Sequence, residues 1–319
     1  MSWMRHVLVK ASESAWLRDH APRLSFVRSA AGRFLPGENI DDALAAAGHL
    51  AEDGIATLLT HLGENVRDRA EADVVTGQYR DLLERIQGAV LPSEISIKLT
   101  QLGLDLDFEF CFANLTRLTE HSQALGASSE RTLVGKTVWI DMEQSAYVDR
   151  TLELHSRARK AYPNTGVCVQ AYLRRTEKDV ESLISMGASV RLVKGAYSEP
   201  PEIALAKKAD VDENYFRLAQ MLLSPGARRA GVRAALATHD RILIARIIDW
   251  AASQEIAKDQ LEFAMLYGIQ RGEQLRLARE GYRSGVLVSY GSFWFPWFMR
   301  RLAERPANAL FLVRNLFST

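Results

Sequence analysis

The sequence predicts an α/β fold, a (β/α)8 barrel of the TIM type with additional helices at its N-terminus. Short apolar runs and amphipathic segments alternate after Gly54. The runs are continuously apolar, as in parallel strands that are covered on both faces. The G-x-G-x-x-G turn of a Rossmann fold is absent, which disfavours the alternative of an open doubly wound sheet.

The chain before Gly54 is expected to be helical, over 12–34 and again over 40–53, with Pro36 and Gly37 marking a turn between the two segments. Asp41 and Asp42 lie where acidic residues favour the start of a helix. We expect a helical segment over 1–53 and a catalytic barrel, including a C-terminal helix, over 54–319.

Eight apolar runs are long enough for barrel strands. They cover 54–63, 94–100, 137–143, 165–173, 189–196, 231–240, 261–268 and 284–291. Three of the segments between or after them carry clear helix signals. Those over 177–187 and 271–281 end in glycine, and the one over 239–255 has a broad apolar face.

Composition excludes several classes of protein. The 319 residues carry 40 basic and 39 acidic side chains, a balance that argues against a nucleic-acid-binding protein. Two cysteines exclude a disulfide scaffold and favour a reducing compartment. The N-terminus lacks the features of a signal peptide, and the longest uncharged stretch, 284–299, is too short to span a membrane. We therefore expect a cytoplasmic protein, at most peripheral to the inner membrane.

Polar residues lie on the second to sixth predicted strands, and the C-terminal ends of the strands are where barrel enzymes place their active sites. They are Lys98, Asp141, Glu143, Gln170, Arg191, Lys194, Thr238, His239 and Asp240. No H-x-H or H-E-x-x-H spacing supports a metal site, and no G-x-S-x-G turn supports a serine nucleophile. Lys98 or Lys194 could form a Schiff base, as in an aldolase-like lyase. Cationic and amide side chains also suit a large polyanionic cofactor.

A second cluster follows the last predicted strand. Arg300, Arg301 and Glu304 are at helical spacing behind Trp294 and Trp297. Two arginines beside aromatic rings can grip a carboxylate and cover an apolar ring. A solvated, salt-bridged helix face is the alternative interpretation.

Seven motifs in this order resemble the proline dehydrogenase family of FAD-dependent barrel enzymes. They are SIKLTQLGLDLD (96–107), VWIDMEQS (138–145), CVQAYLRRT (168–176), VRLVKGAY (190–197), LATHD (236–240), EFAMLYG (262–268) and MRRLAERPAN (299–308). The resemblance spans most of the chain after Ser96. In its length, the chain is similar to the short monofunctional bacterial form of the family. It implies oxidation of L-proline to Δ1-pyrroline-5-carboxylate, with hydride transfer to flavin N5 and a quinone as electron acceptor.

The resemblance also implies roles for individual residues. Asp141 and Arg191 are expected to be catalytic, with Arg191 beside flavin N5. The expected cofactor contacts are Met142, Gln170, Arg191, Lys194, Gly195, Ala196, Thr238 and His239. The expected substrate-binding residues are Lys98, Tyr197, Leu266, Leu287, Trp297, Arg300, Arg301 and Glu304. Reoxidation by a quinone would bring the protein to a membrane, with the apolar tail 309–317 as the candidate contact. The alternative is that this tail is a helix that packs on the barrel.

The sequence departs from the family pattern at three places. Leu287 and Trp297 replace tyrosines, and Ala264 replaces a glutamine. These changes bear on the substrate more than on the cofactor. A dehydrogenase of a hydroxylated, larger-ring or carrier-linked proline therefore stays open as an alternative. So do a Schiff-base lyase and a non-catalytic relative that keeps the flavin or the fold for binding. The sequence leaves the oligomeric state open.

Overall fold

The structure is a computed structural model that describes residues 20, 24–63, 66–127 and 137–304. Within these residues, eight parallel strands close into a barrel in the order in which they occur along the chain, and β8 pairs with β1. The strands are β1 Ala56–His61, β2 Ser93–Ile97, β3 Val138–Ile140, β4 Thr165–Gln170, β5 Ser189–Val193, β6 Arg233–Ala237, β7 Glu262–Leu266 and β8 Arg283–Tyr290. The predicted barrel is confirmed, and each strand overlaps one predicted run.

Helices connect the strands and cover the outer face of the barrel. They are α1 Ser25–Ala31, α2 Ile40–Glu52, α3 Arg69–Gly88, α4 Phe108–Ala127, α5 Val148–Ala161, α6 Thr176–Ser185, α7 Lys208–Leu222, α8 Pro225–Arg229, α9 Arg241–Ser253, α10 Arg271–Arg279 and α11 Trp294–Glu304. The first two lie before β1, as predicted for the additional N-terminal helices. The proposed domain boundary at Gly54 stays a prediction.

Alternation along the strands separates an inner from an outer face. Leu58 on β1 is level with Leu287 on β8, and the two belong to a small interior cluster with Trp139 and Ala235. The intervening residues point outward and pack against the helices in the main hydrophobic core, which also holds Ala43 and its neighbours on α2. The barrel is therefore a filled core whose interior residues are set by the register of the strands.

A second core joins the two ends of the described chain. Val27 on α1 and the nearby Leu35 pack with Trp294 and Phe298 of α11. The Trp294 indole Nε1 also donates a hydrogen bond of 2.8 Å to the Glu38 carboxylate. The N-terminal segment thus contacts the helix that follows the last strand.

None of the helices within the described ranges combines the length and the apolar character needed to cross a membrane. The apolar tail over 309–317, for which the sequence suggested a membrane contact, lies outside the described residues.

An ionic cluster lies inside the barrel at the N-terminal ends of the strands. We call Glu94, Arg233 and Glu262 the floor cluster. The Arg233 guanidinium donates bonds of 2.7 and 3.1 Å to Glu94 and of 2.8 and 2.7 Å to Glu262. A cavity of about 30 Å³ beside it is also lined by Gly285, and its size suits one or two waters.

Alanine substitutions at two glycines inside the barrel should have opposite effects on the stability of the fold. A Cβ at Gly285 would lie 3.5 Å from Leu58, an ordinary contact, whereas a Cβ at Gly166 would lie 2.7 Å from the Trp139 ring. We expect Gly285→Ala to stabilise the fold by about 0.4–1 kcal/mol, because alanine lowers the entropy of the unfolded chain. We expect Gly166→Ala to destabilise it by about 1–3 kcal/mol through overpacking.

Urea denaturation of both variants, beside the parent chain, measures these two free energies of unfolding. A Gly166→Ala variant as stable as the parent would contradict this packing of the Trp139 ring.

Candidate active site

Four side chains from three strands meet inside the barrel, near the C-terminal ends of the strands. We call Ser96, Lys98, Asp141 and Arg191 the charge centre. The Asp141 carboxylate accepts hydrogen bonds from Ser96 Oγ at 2.7 Å, from Lys98 Nζ at 3.2 Å and from Arg191 Nη2. Arg191 Nη2 also donates to Ser96 Oγ at 2.9 Å. Lys98 and Asp141, which follow the neighbouring strands β2 and β3, thus form an ion pair.

The backbone places these groups. Lys98 and Asp141 directly follow β2 and β3, and the Asp141 N–H donates to the Ile97 carbonyl at 2.8 Å, which extends the pairing of the two strands. Arg191 lies in the middle of β5 on its inner face and extends across the barrel toward β2. The length of an arginine side chain makes this span possible.

Burial and opposite charge compete in the charge centre. Burial by itself would raise the pKa of Asp141, but the Lys98 and Arg191 cations and the Ser96 hydrogen bond hold that pKa below its ordinary value. Burial likewise favours loss of the Arg191 proton, and the Asp141 carboxylate reverses this effect and raises the pKa of Arg191. The carboxylate and the guanidinium therefore both stay charged at neutral pH.

Sequence reasoning missed Ser96, which is fully buried and bridges Asp141 and Arg191. A signal was present in the sequence, because Ser96 lies two residues before Lys98 on the same strand. Residues at that spacing point to the same face of the sheet. A polar residue beside an inward lysine is thus a candidate partner.

Among the buried polar atoms that lack a hydrogen bond in the part of the chain that the structure describes, two belong to residues that the sequence analysis singled out. They are Gln170 Oε1 and Arg191 Nη1. Gln170 ends β4, and its Nε2 donates to the Met142 carbonyl at 3.4 Å and to the Glu143 carbonyl at 3.2 Å. Because buried polar atoms normally have partners, these two atoms are available to a ligand at this end of the barrel.

Lys194 follows β5 and is held by two carboxylates. Its Nζ donates to Asp212 at 2.5 Å and to Asp240 at 2.9 Å, and Lys208 bonds the same two residues. Burial would raise the pKa of Asp240, but the bonds from Lys194 and Lys208 lower it below its ordinary value. The cluster fixes Lys194 beside the ends of β5 and β6.

Gly195 marks the next turn of the chain. It has φ of +113°, and a Cβ there would lie 2.2 Å from the Tyr172 ring, so that only glycine fits. Ala196 and Tyr197 follow in the same loop, the first exposed and the second partly buried.

Thr238 and His239 directly follow β6. Thr238 is buried, and its Oγ1 accepts a bond of 3.2 Å from the Asp240 N–H. His239 Nε2 accepts a bond of 2.9 Å from the Leu266 N–H at the end of β7. Since Nε2 is an acceptor in this bond, the ring proton lies on Nδ1. The backbone of β7 thus sets both the orientation and the tautomer of the imidazole.

The predicted substrate residues on β8 and α11 are placed as follows. Leu287 lies on the inner face of β8, and α11 starts just after β8 ends. The Arg301 guanidinium lies 5.7 Å from the centre of the Trp297 ring. The side chains of Arg300 and Glu304 lie outside the described part of the structure. Their proposed contact with a substrate carboxylate stays a prediction.

Replacing Asp141 by asparagine should destabilise the fold strongly, because it leaves two buried cations without their anion. We expect Asp141→Asn to lower the free energy of unfolding by about 3–5 kcal/mol. The matched control is Asp149→Asn. Asp149 also pairs with an arginine, Arg175 at 2.6 Å, but its side chain is 82% exposed, so we expect a change of less than about 1 kcal/mol.

Chemical denaturation at neutral pH compares the two variants. If both substitutions changed the free energy of unfolding by the same small amount, Asp141 would not stabilise the buried cations.

We compared the chain with family models, with related sequences and with solved structures. A family model described as proline dehydrogenase matches residues 43–314. Proline dehydrogenase 2 of Bacillus subtilis subsp. natto is 36% identical over 289 residues, which cover 91% of this chain and 90% of the relative. Proline dehydrogenase of Deinococcus radiodurans is 36% identical, with 90% of this chain and 89% of the relative covered.

Among solved structures, proline utilization A of Bdellovibrio bacteriovorus superimposes with a TM-score of 0.79 at 26% identity. The match covers 92% of this chain and 34% of that one, so the chain spans about a third of that relative. The barrel, the charge centre at its mouth and these similarities together show that the chain belongs to the proline dehydrogenase family, a family of oxidoreductases.

Proposed function

We propose that the protein oxidises L-proline to Δ1-pyrroline-5-carboxylate with FAD as cofactor. The observation that carries this proposal is the buried charge centre, in which Lys98, Asp141 and Arg191 lie together at the mouth of the barrel. The family supports the reaction, since full-length relatives are named proline dehydrogenases. When bound, FAD would supply the hydride acceptor, flavin N5.

The residues present fit a flavin dinucleotide. Arg191 Nη1 and Gln170 Oε1 are a donor and an acceptor that are buried without partners in the described chain, as a polar ring system would require. Lys194 supplies positive charge, and Thr238 and His239 supply polar side chains at the neighbouring strand end. These groups suit the ring edge and the pyrophosphate of such a cofactor.

The charge centre has two tasks in this proposal. Lys98 and the arginines of α11 hold the substrate carboxylate, so that the ring carbon next to nitrogen faces the acceptor. Arg191 would supply positive charge beside a bound flavin, which would favour its reduced, more negative form. Asp141 keeps both Lys98 and Arg191 oriented through its two oxygens.

The proton balance of the reaction sets a further requirement. The neutral amine of proline loses a hydride from the ring carbon and becomes the protonated cyclic imine, which gives the cyclic imine when its N–H proton passes to water. The amine must be neutral before the hydride leaves, so its proton passes to water or to a base. Asp141 is a weak base for this step, because its pKa is held below the ordinary value.

A quinone as final electron acceptor, a cytoplasmic location and a peripheral contact with the membrane belong to the same proposal. They are supported by the family alone. The C-terminal tail, which would be the contact, lies outside the described residues.

The Schiff-base lyase has less support. A lyase lysine attacks a carbonyl as the neutral amine. Lys98 donates to Asp141, and Lys194 donates to Asp212 and Asp240, which are settings for an ammonium group.

The direct test is anaerobic titration of the FAD-loaded protein with L-proline. We expect the visible flavin absorbance to bleach, with one flavin reduced per proline oxidised. A Schiff-base adduct trapped by borohydride at Lys98 or Lys194 would favour the lyase instead. Tight FAD binding without bleaching by proline or by any related cyclic amino acid would indicate a non-catalytic relative.

The position of Leu287 favours a second candidate, a dehydrogenase of a related cyclic amino acid. Leu287 packs on the interior cluster of Leu58, Trp139 and Ala235, where the family carries a tyrosine. A leucine there is smaller than a tyrosine and offers no hydroxyl, which would leave room for a larger or differently substituted ring.

Leu287→Tyr should therefore shift selectivity toward L-proline. We expect kcat/KM for L-proline, divided by that for the six-membered homologue pipecolate, to rise roughly tenfold. Steady-state kinetics on both substrates measures the ratio, with flavin content and thermal midpoint as controls for folding. An unchanged or lower ratio would refute a role of Leu287 in selectivity.

A further inference from the structure

Trp139 lies between two arginines in the centre of the barrel. Its side chain is fully buried on β3, two residues before Asp141. The guanidinium carbon of Arg191 lies 5.4 Å from the ring centre, and that of Arg233 lies 5.2 Å from it. The indole therefore lies between the charge centre and the floor cluster.

Neighbouring residues fix the position of the ring. Gly166 on β4 is level with Trp139 on β3, and a Cβ there would meet the indole at 2.7 Å. Leu58 and Ala235 pack on it from other strands. The ring thus has one orientation available in this layer of the barrel.

The floor cluster holds the polar edge of the ring. Trp139 Nε1 donates a bond of 2.7 Å to the Glu94 carboxylate, which also receives the Arg233 guanidinium. Burial would raise the pKa of Glu94, but Arg233 and the bond from Trp139 lower it, so the acceptor is an anion. An anionic acceptor on Nε1 increases the negative charge of the indole face and strengthens its attraction for a cation.

The hydrogen bonds of the Arg191 guanidinium involve only part of the group. Its Nη2 bonds Ser96 and Asp141, while Nη1 has no hydrogen bond within the described residues. The indole lies within the range of a cation–π contact with this guanidinium. The bonds to Ser96 and Asp141, the neighbouring Cys168 thiol and one ring face together define where the guanidinium points.

We infer that Trp139 is a positioning residue for the reaction. It holds the Arg191 guanidinium toward the reacting end of the barrel, and the Glu94 carboxylate at the opposite end fixes the indole in turn. This inference rests on the proposed function, because it takes Arg191 to act on the flavin.

The first test uses the FAD-loaded protein. In Trp139→Leu the ring is lost, and we expect kcat for L-proline to fall roughly tenfold or more while KM changes less than about twofold. The flavin midpoint potential, measured by dye equilibration, should become more negative, because the misplaced cation stabilises reduced flavin less. Trp139→Phe keeps a ring but loses the bond to Glu94 and should give a smaller change in both quantities.

The matched control is Phe263→Leu. Phe263 is 1% exposed and is an aromatic residue of β7 that packs outward against Tyr282. Like Trp139→Leu, the Phe263→Leu variant loses a buried aromatic ring, but this ring lies away from the charge centre. We expect a loss of stability with the parent potential and the parent kcat. Equal potentials and equal kcat in Trp139→Leu and Phe263→Leu would overturn the inference.

The second test needs neither cofactor nor turnover. In the full chain without FAD, the guanidinium resonance of Arg191 is assigned by its loss in Arg191→Lys. It should shift in Trp139→Leu, because the ring current is removed, and it should stay in place in Phe263→Leu. No shift in Trp139→Leu would refute the contact. If the parent protein is not reduced by proline, the proposed function fails while this measurement still decides the contact.

Discussion

The pairing of Arg191 with Asp141 inside the barrel is the interaction on which the rest of the structure depends. A guanidinium whose side chain is 5% exposed is unfavourable unless an anion and hydrogen bonds surround it. Asp141 supplies the anion, Ser96 links the two groups, and Lys98 adds a second cation, so the cations of the centre outnumber its anion. Because these residues come from β2, β3 and β5, the centre forms only when the strands are in register.

The interior of the barrel is arranged in three levels along its axis. The floor cluster binds Arg233 between two carboxylates, the apolar layer holds Trp139 with Leu58 and Ala235, and the charge centre lies above. Buried ion pairs of this kind add little net stability compared with apolar residues. Such pairs instead favour one arrangement of the strands, because the charges meet only when the strands are in register.

The fold could be predicted because apolar runs and helix signals are local properties of the sequence. The same runs located Lys98, Asp141, Gln170 and Arg191 on the strands that form the site, although Arg191 lies in the middle of β5 and not at its end. Ser96, Trp139 and the floor cluster were missed. Alternation tells which face a residue occupies, but the partner across the barrel depends on the register between distant strands. Glu94 and Arg233, 139 residues apart, carry no local signal of their contact.

A double-mutant cycle on Asp141 and Arg191 tests this account most directly. The free energy of unfolding is measured for the parent, Asp141→Asn, Arg191→Gln and the double variant. The account predicts a coupling energy of at least about 1.5 kcal/mol, since each single change leaves the other charge buried without its partner. Additive effects within about 0.5 kcal/mol would contradict it, because the two groups would then stabilise the barrel independently.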